Sequence, residues 1–192
     1  MDVNKNNFKS RKFPIDSHLQ HPPDIRMDKA QMWEAAQEGI KRRLRGIWDL
    51  NEGRDGKGDA SLWSYDIEGC MAEYACALYL GVDPTFPSQK GTQYADLSNG
   101  DDVRYTVHPT GYLCVKSKDP PDRRIWLVKG ANGVYWIIGC ILAKDAKGMK
   151  ECRNMRSMWG EEFHIPESKL VSKSELLCRS DDAISLPVDG AR

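Results

Sequence analysis

The chain has 192 residues, 40 % of them hydrophobic, enough for one sizeable core and one domain. Lysine plus arginine equals aspartate plus glutamate at 28 each, so the formal net charge is zero. That balance excludes a purely electrostatic nucleic-acid sleeve but leaves room for a local basic patch. Residues 1–26 are polar, contain "HPPD" and carry Lys5, Lys9, Arg11 and Lys12; they read as a flexible arm. "MDVNKNNFKSRKF" has no apolar run of the kind a secretory leader needs. The longest apolar run, "VYWIIGCILA" at 134–143, is ten residues and too short to span a bilayer. A soluble, cytoplasmic protein is expected.

The first predicted helix starts at Asp28, a good N-cap, and repeats Trp33, Ile40, Leu44, Ile47 and Trp48 at helical spacing as its core face. Lys41, Arg42, Arg43 and Arg45 of "KRRLR" lie off that face. They read either as a solvated surface or as a phosphate-contacting patch. "NEGRDGKGDAS" at 51–61 is a loop. A second helix is predicted from about Trp63 to Leu80, stopped by Gly81 with Pro84 beyond.

From there the chain turns to short β-branched and aromatic segments: "DVRYTV", "YLCVK", "RIWLVKG" and "VYWIIGCILA". "HPTG", "KDPPD" and "ANG" punctuate them, so a mostly antiparallel meander is expected. "FHIPESKL" adds an edge strand or turn, because Pro166 excludes a central position. Two helices followed by a sheet make an α+β domain over residues 27–171, with 172–192 as a flexible tail.

Of the six cysteines, none forms a C-x-x-C pair, which reads as buried reduced thiols rather than a structural zinc site. His18, His21, His108 and His164 fall in predicted loops or the arm and read as turn and surface residues. No phosphate-binding glycine loop, dinucleotide fingerprint, H-E-x-x-H or G-x-S-x-G motif is present.

Acidic side chains carry the remaining signal. In "GCMAEYACALYL" at 69–80, Glu73 is the only charged residue among twelve, on a face expected to pack against the sheet. Burying a carboxylate is costly, so Glu73 requires an arginine, a hydrogen-bond network or a metal ion. In "ADLSNGDDVRYT" at 95–106, strand alternation puts Asp102, Arg104 and Thr106 on one face, and the "LSNG" turn can fold Asp96 back beside Asp102. One or two such carboxylates with water and phosphate oxygens suit Mg²⁺ or Mn²⁺, which can neutralise a phosphate under attack.

These residues resemble the PD-(D/E)XK nuclease superfamily, the restriction-endonuclease-like fold. Its pattern is a helical Glu, then an Asp, then an acid, any residue and Lys on the next strand. The resemblance, over residues 60–150, implies Glu73, Asp96 and Asp102 as metal ligands and Arg104 in the position of the lysine. "EGCMAEYACALYLGV", "WLVKG" and "IIGCILAKDAK" also resemble small proteins of phages and mobile elements. Arginine stabilises charge but does not accept a proton, so a nearby lysine is of interest. If residues 103–107 and 113–117 formed a hairpin, matching apolar faces would pair Val107 with Leu113 and Tyr105 with Val115. That register sets Lys116 opposite Arg104 and Lys118 opposite Asp102. The expectation is a Mg²⁺- or Mn²⁺-dependent nuclease acting on DNA, with Glu73, Asp96, Asp102, Arg104 and Lys116 as its catalytic set. The alternatives are a non-catalytic nucleic-acid-binding protein or a phage protein that engages a host protein.

Overall fold

The structure, a computed structural model, describes residues 22–48, 60–86, 94–154 and 160–176. The elements run β1 (Ile25–Arg26), α1 (Lys29–Trp48), α2 (Ala60–Leu80), β2 (Asp102–Thr106), β3 (Leu113–Lys116), β4 (Arg124–Ala131) and β5 (Val134–Leu142). The short α3 (Ala143–Gly148), β6 (Arg153–Asn154) and β7 (Glu162–Ile165) complete them. This is an α+β arrangement with two sheets, one of order β1-β5-β4-β2 and one of order β3-β7-β6.

Strand β4 organises the core. Its alternate residues Trp126 and Val128 pack with Ala72, Ala75 and Cys76 of α2, while Ile125 and Leu127 pack with Leu113, Val115, Phe163 and Ile165 of the second sheet. A strand covered on both faces needs no polar alternation, which is why "RIWLV" reads as one apolar run. The β4–β5 connection places Asn132 and Gly133 at φ 55° and 79°, as a type I′ turn requires. Glu68 of α2 accepts the Asn132 N–H and the Tyr135 hydroxyl, fixing the hairpin to the helix.

The expected meander is corrected at two places. β2 pairs in parallel with β4, Asp102 beside Ile125 and Arg104 beside Leu127. β3 leaves that sheet and pairs antiparallel with β7, Leu113 opposite Ile165 and Val115 opposite Phe163. The hairpin register therefore fails: it rested on matching apolar faces, and β7 matches Leu113 and Val115 equally well. β7 is also central in its sheet, not an edge; it ends at Ile165, so Pro166 falls outside the ladder and leads into the 3₁₀ turn Glu167–Lys169.

The ends are better tied than expected. Ile25 and Arg26, inside the predicted arm, pair with Tyr135 and Val134, and Asp24 accepts the Ile137 N–H. Inside the predicted tail, Lys173 donates to the Tyr79 carbonyl and Leu176 packs on the main core. Residues 1–21 and 177–192 lie outside the described residues.

Helix α1 starts as expected, with Asp28 accepting the Gln31 N–H and Gln31 accepting the Asp28 N–H. Its buried face is not the expected one. Ala35, Gly39 and Gly46 are buried, whereas Trp33 and Trp48 are 69 % and 72 % exposed, with Ile40 and Ile47 beside them. Small residues win that face because α2 passes so close that a Cβ on Gly39 would sit 2.5 Å from the Ile67 Cα. Gly39→Ala is therefore expected to cost about 1–3 kcal/mol by overpacking, despite the better helix propensity of alanine. Trp33→Ala should stay within about 0.5 kcal/mol, as surface changes do. Urea denaturation checks both, and the reverse order would restore the tryptophan face as the core.

Candidate functional site

β2 is an edge strand, and an edge exposes backbone groups that need partners. The turn before it supplies one. Asp96 and Leu97 donate their N–H groups to the Asp101 carbonyl, and Gly100, at φ 90°, donates to Leu97. This folds Asp96 back so that its carboxylate accepts the Val103 N–H at 2.8 Å. The adjacent aspartates then divide their roles. Asp101 accepts the Trp126 indole N–H at 2.8 Å and pins the turn to the core, while Asp102 faces the other side of the sheet.

On that side Arg104 is the hub. Its guanidinium lies 3.8 Å from Asp96, 3.6 Å from Asp102 and 3.4 Å from Asp119. Asp102 also takes a hydrogen bond from Arg123 at 2.6 Å. Asp119 is fully buried; its second oxygen accepts the Lys116 N–H at 2.8 Å, and Lys147 donates to its carbonyl. Asp119 and Arg123 were not singled out in the sequence. They flank "PPD" in a connection that reads as punctuation, and no periodicity marks them.

Glu73 has its partner. Arg42 donates two parallel hydrogen bonds of 2.7 Å to the two carboxylate oxygens, the fork-to-fork geometry that makes such pairs strong. Burial opposes the charge on Arg42, but the hydrogen bond and the charge of Glu73 outweigh it, and the guanidinium is held more firmly protonated than usual. Asp96 is pushed up from 3.8 to about 6, first by burial and then by the neighbouring Glu73, against the Val103 N–H and the two arginines. Asp102 is raised as well, by burial and by Asp96.

The predicted set is thus brought together in part. Asp96, Asp102 and Arg104 meet directly, and Glu73 acts on Asp96 through its charge. Lys116 joins through its backbone N–H to Asp119 rather than through a hairpin with β2. The four basic residues of α1 do not form one free patch: Lys41 pairs with Glu38, Arg45 lies 3.9 Å from Glu38, and Arg42 is committed to Glu73. Arg43 is half-buried beside them.

Hard carboxylate oxygens are the right donors for Mg²⁺ or Mn²⁺. Among the described residues, however, Glu73, Asp96 and Asp102 do not bring three ligand atoms within 4.8 Å of one another. Glu73 spends both oxygens on Arg42, and Asp102 faces Arg123 with one oxygen and Arg104 with the other; Asp96 and Asp102 are the carboxylates that meet on Arg104, and Mg²⁺ needs only one or two carboxylates with water. No described helix is long and apolar enough to cross a membrane. Comparison with family models, curated proteins and solved structures returns no match.

Proposed function

We propose that the chain is a divalent-metal-dependent nuclease hydrolysing phosphodiester bonds in DNA, centred on Asp96, Asp102 and Arg104. The observation that supports it is the meeting of two carboxylates with raised proton affinity on one arginine at the edge strand of the main sheet. Groups perturbed by burial and a specific neighbour concentrate at functional sites. The reading adopts the resemblance to PD-(D/E)XK nucleases and, with it, a phage or mobile-element origin and action inside a bacterial host. Asp96 and Asp102 would hold Mg²⁺ or Mn²⁺, which supplies Lewis-acid charge and an acidified water when bound. Arg104 contributes a permanent positive charge toward the phosphate undergoing attack, without proton transfer. Glu73 and Arg42 act behind Asp96 as positioning residues.

A second reading rests on the charge balance. Arg42, Arg104 and Arg123 already offset most of the charge of Glu73, Asp96, Asp102 and Asp119, so the cluster is also consistent with a protein that binds nucleic acid without cutting it. Metal binding separates the two. Millimolar Mn²⁺ should raise the melting temperature of the wild type by a few degrees, because a ligand that binds only the folded state stabilises it. Asp96→Asn should abolish the rise. An unchanged melting curve in the wild type would favour the binding-only reading.

A further inference from the structure

On the outer face of the second sheet, Cys114, Glu162 and His164 bring a sulfur, a carboxylate oxygen and a ring nitrogen within 4.8 Å of one another. Their placement follows from the ladder. Cys114 and His164 are directly opposite on β3 and β7, and Glu162 precedes His164 by two residues, so all three project from one face. The alternate residues Leu113, Val115, Phe163 and Ile165 fill the core beneath. His164 lies outside the loop position expected from the sequence, and its ring stacks on Tyr112 with centroids 5.9 Å apart and planes 14° from parallel.

The donor set is specific. His164 Nε2 and Glu162 Oε2 are 3.6 Å apart, near the edge of about 3.4 Å between two ligands on a tetrahedral zinc. Thiolate, imidazole and carboxylate suit a borderline ion such as Zn²⁺, whereas Mg²⁺ takes oxygen alone. A thiolate and a carboxylate also cancel a 2+ charge, so the half-buried Cys114 and buried Glu162 would carry no net charge with the ion in place. Asn154 Nδ2 of β6 lies 3.4 Å from the same His164 Nε2 and would have to yield that atom to the ion.

We propose that Cys114, Glu162 and His164 form a Zn²⁺ site with three protein ligands and an open fourth position. It shares no ligand with the Asp96–Asp102 pair, although Arg104 acts on Cys114 through its charge, and it does not depend on the nuclease reading. It joins β3 to β7 in a sheet whose strands are only four, four and two residues long, so its occupancy adds to the stability of that sheet.

Co²⁺ titration of the full chain tests this, because a cysteine ligand gives a sulfur-to-cobalt charge-transfer band and a tetrahedral site gives intense visible bands. One equivalent of Co²⁺ should produce both, and Zn²⁺ should displace it. Cys114→Ala should remove the charge-transfer band, while Cys152→Ala retains it. His164→Gln, on the outer face and 37 % exposed, keeps the test open if Cys114→Ala does not fold. It should weaken Zn²⁺ by more than the roughly 10–100-fold cost of losing an outer partner. Asp96→Asn should retain the cobalt spectrum while losing the Mn²⁺ response, so failure of one site is distinguishable from failure of the other. No charge-transfer band in the wild type, a band that survives Cys114→Ala, or unchanged Zn²⁺ affinity in His164→Gln would overturn the proposal.

Discussion

Arg42→Ala is expected to lower stability by about 3–5 kcal/mol, the cost of leaving one member of a buried ion pair without the other. Glu73 is buried, its side chain 7 % exposed, and Arg42 holds both of its oxygens. Removing the guanidinium leaves the carboxylate in the α1–α2 contact without the partner that holds both of its oxygens. For a chain of this size the loss corresponds to a drop of about 6–20 °C in melting temperature. The pair itself need not be favourable, since charged side chains taken out of water lose hydration that the contact only partly returns. Arg42→Met with Glu73→Leu should therefore recover most of the loss. Urea denaturation of the single and double variants checks this. A single-variant loss below about 1 kcal/mol would mean that Glu73 has solvent access the structure does not show.

Asp96→Asn should have the opposite sign at neutral pH. The folded-state value of Asp96 is raised, to about 6 from 3.8, so the folded chain binds the proton more tightly than the unfolded chain. Stability then falls as pH rises from about 4 to about 6 and stays lower above it. A shift of that size corresponds to about 3 kcal/mol. Asparagine keeps an oxygen for the Val103 N–H and carries no charge, so the variant should gain up to that amount at pH 7 and little at pH 4. Asp102, raised in the same direction, leaves part of the slope in the variant. Thermal denaturation across pH 4–8 without metal reads the difference. A gain on removing the charge would mark Asp96 as a residue kept for function against stability. A variant less stable at pH 7 would instead make it a structural partner of Arg104.

The sequence was legible where one local rule governed the outcome. The Asp28 cap, the "ANG" turn and the short strand segment "RIWLVKG" all act over a few residues, and each formed as read. Glu73 stood out because a lone charge on an apolar helix must be answered. Its partner was not legible: Arg42 is 31 residues away and looked like one more member of a basic stripe. The α1 face was misread for a related reason. Tryptophans at helical spacing mark a core by hydrophobicity, but Ala35, Gly39 and Gly46 mark a close helix crossing, and closeness decided it. The β2–β3 hairpin failed because apolar alternation does not say which strand supplies the match, and β7 did so from nearly 50 residues on. The same separation hid His164 from Cys114, and Asp119 lay hidden from Arg104 in a connection that reads as punctuation.

The central claim is that Asp96, Asp102 and Arg104 form a metal-dependent phosphodiester-cleaving site. Its most direct test is cleavage of plasmid and single-stranded DNA with Mg²⁺ or Mn²⁺, comparing the wild type with Asp102→Asn. Asp102 lies within 3.6 Å of Arg104 and is one of the two carboxylates proposed to hold the ion. Charge placed against a developing transition state typically contributes about 100-fold or more. The wild type should cut only with the metal, and Asp102→Asn should cut slower by at least that factor. DNA left intact by the wild type with both metals, or cut equally well by the variant, would contradict the central claim.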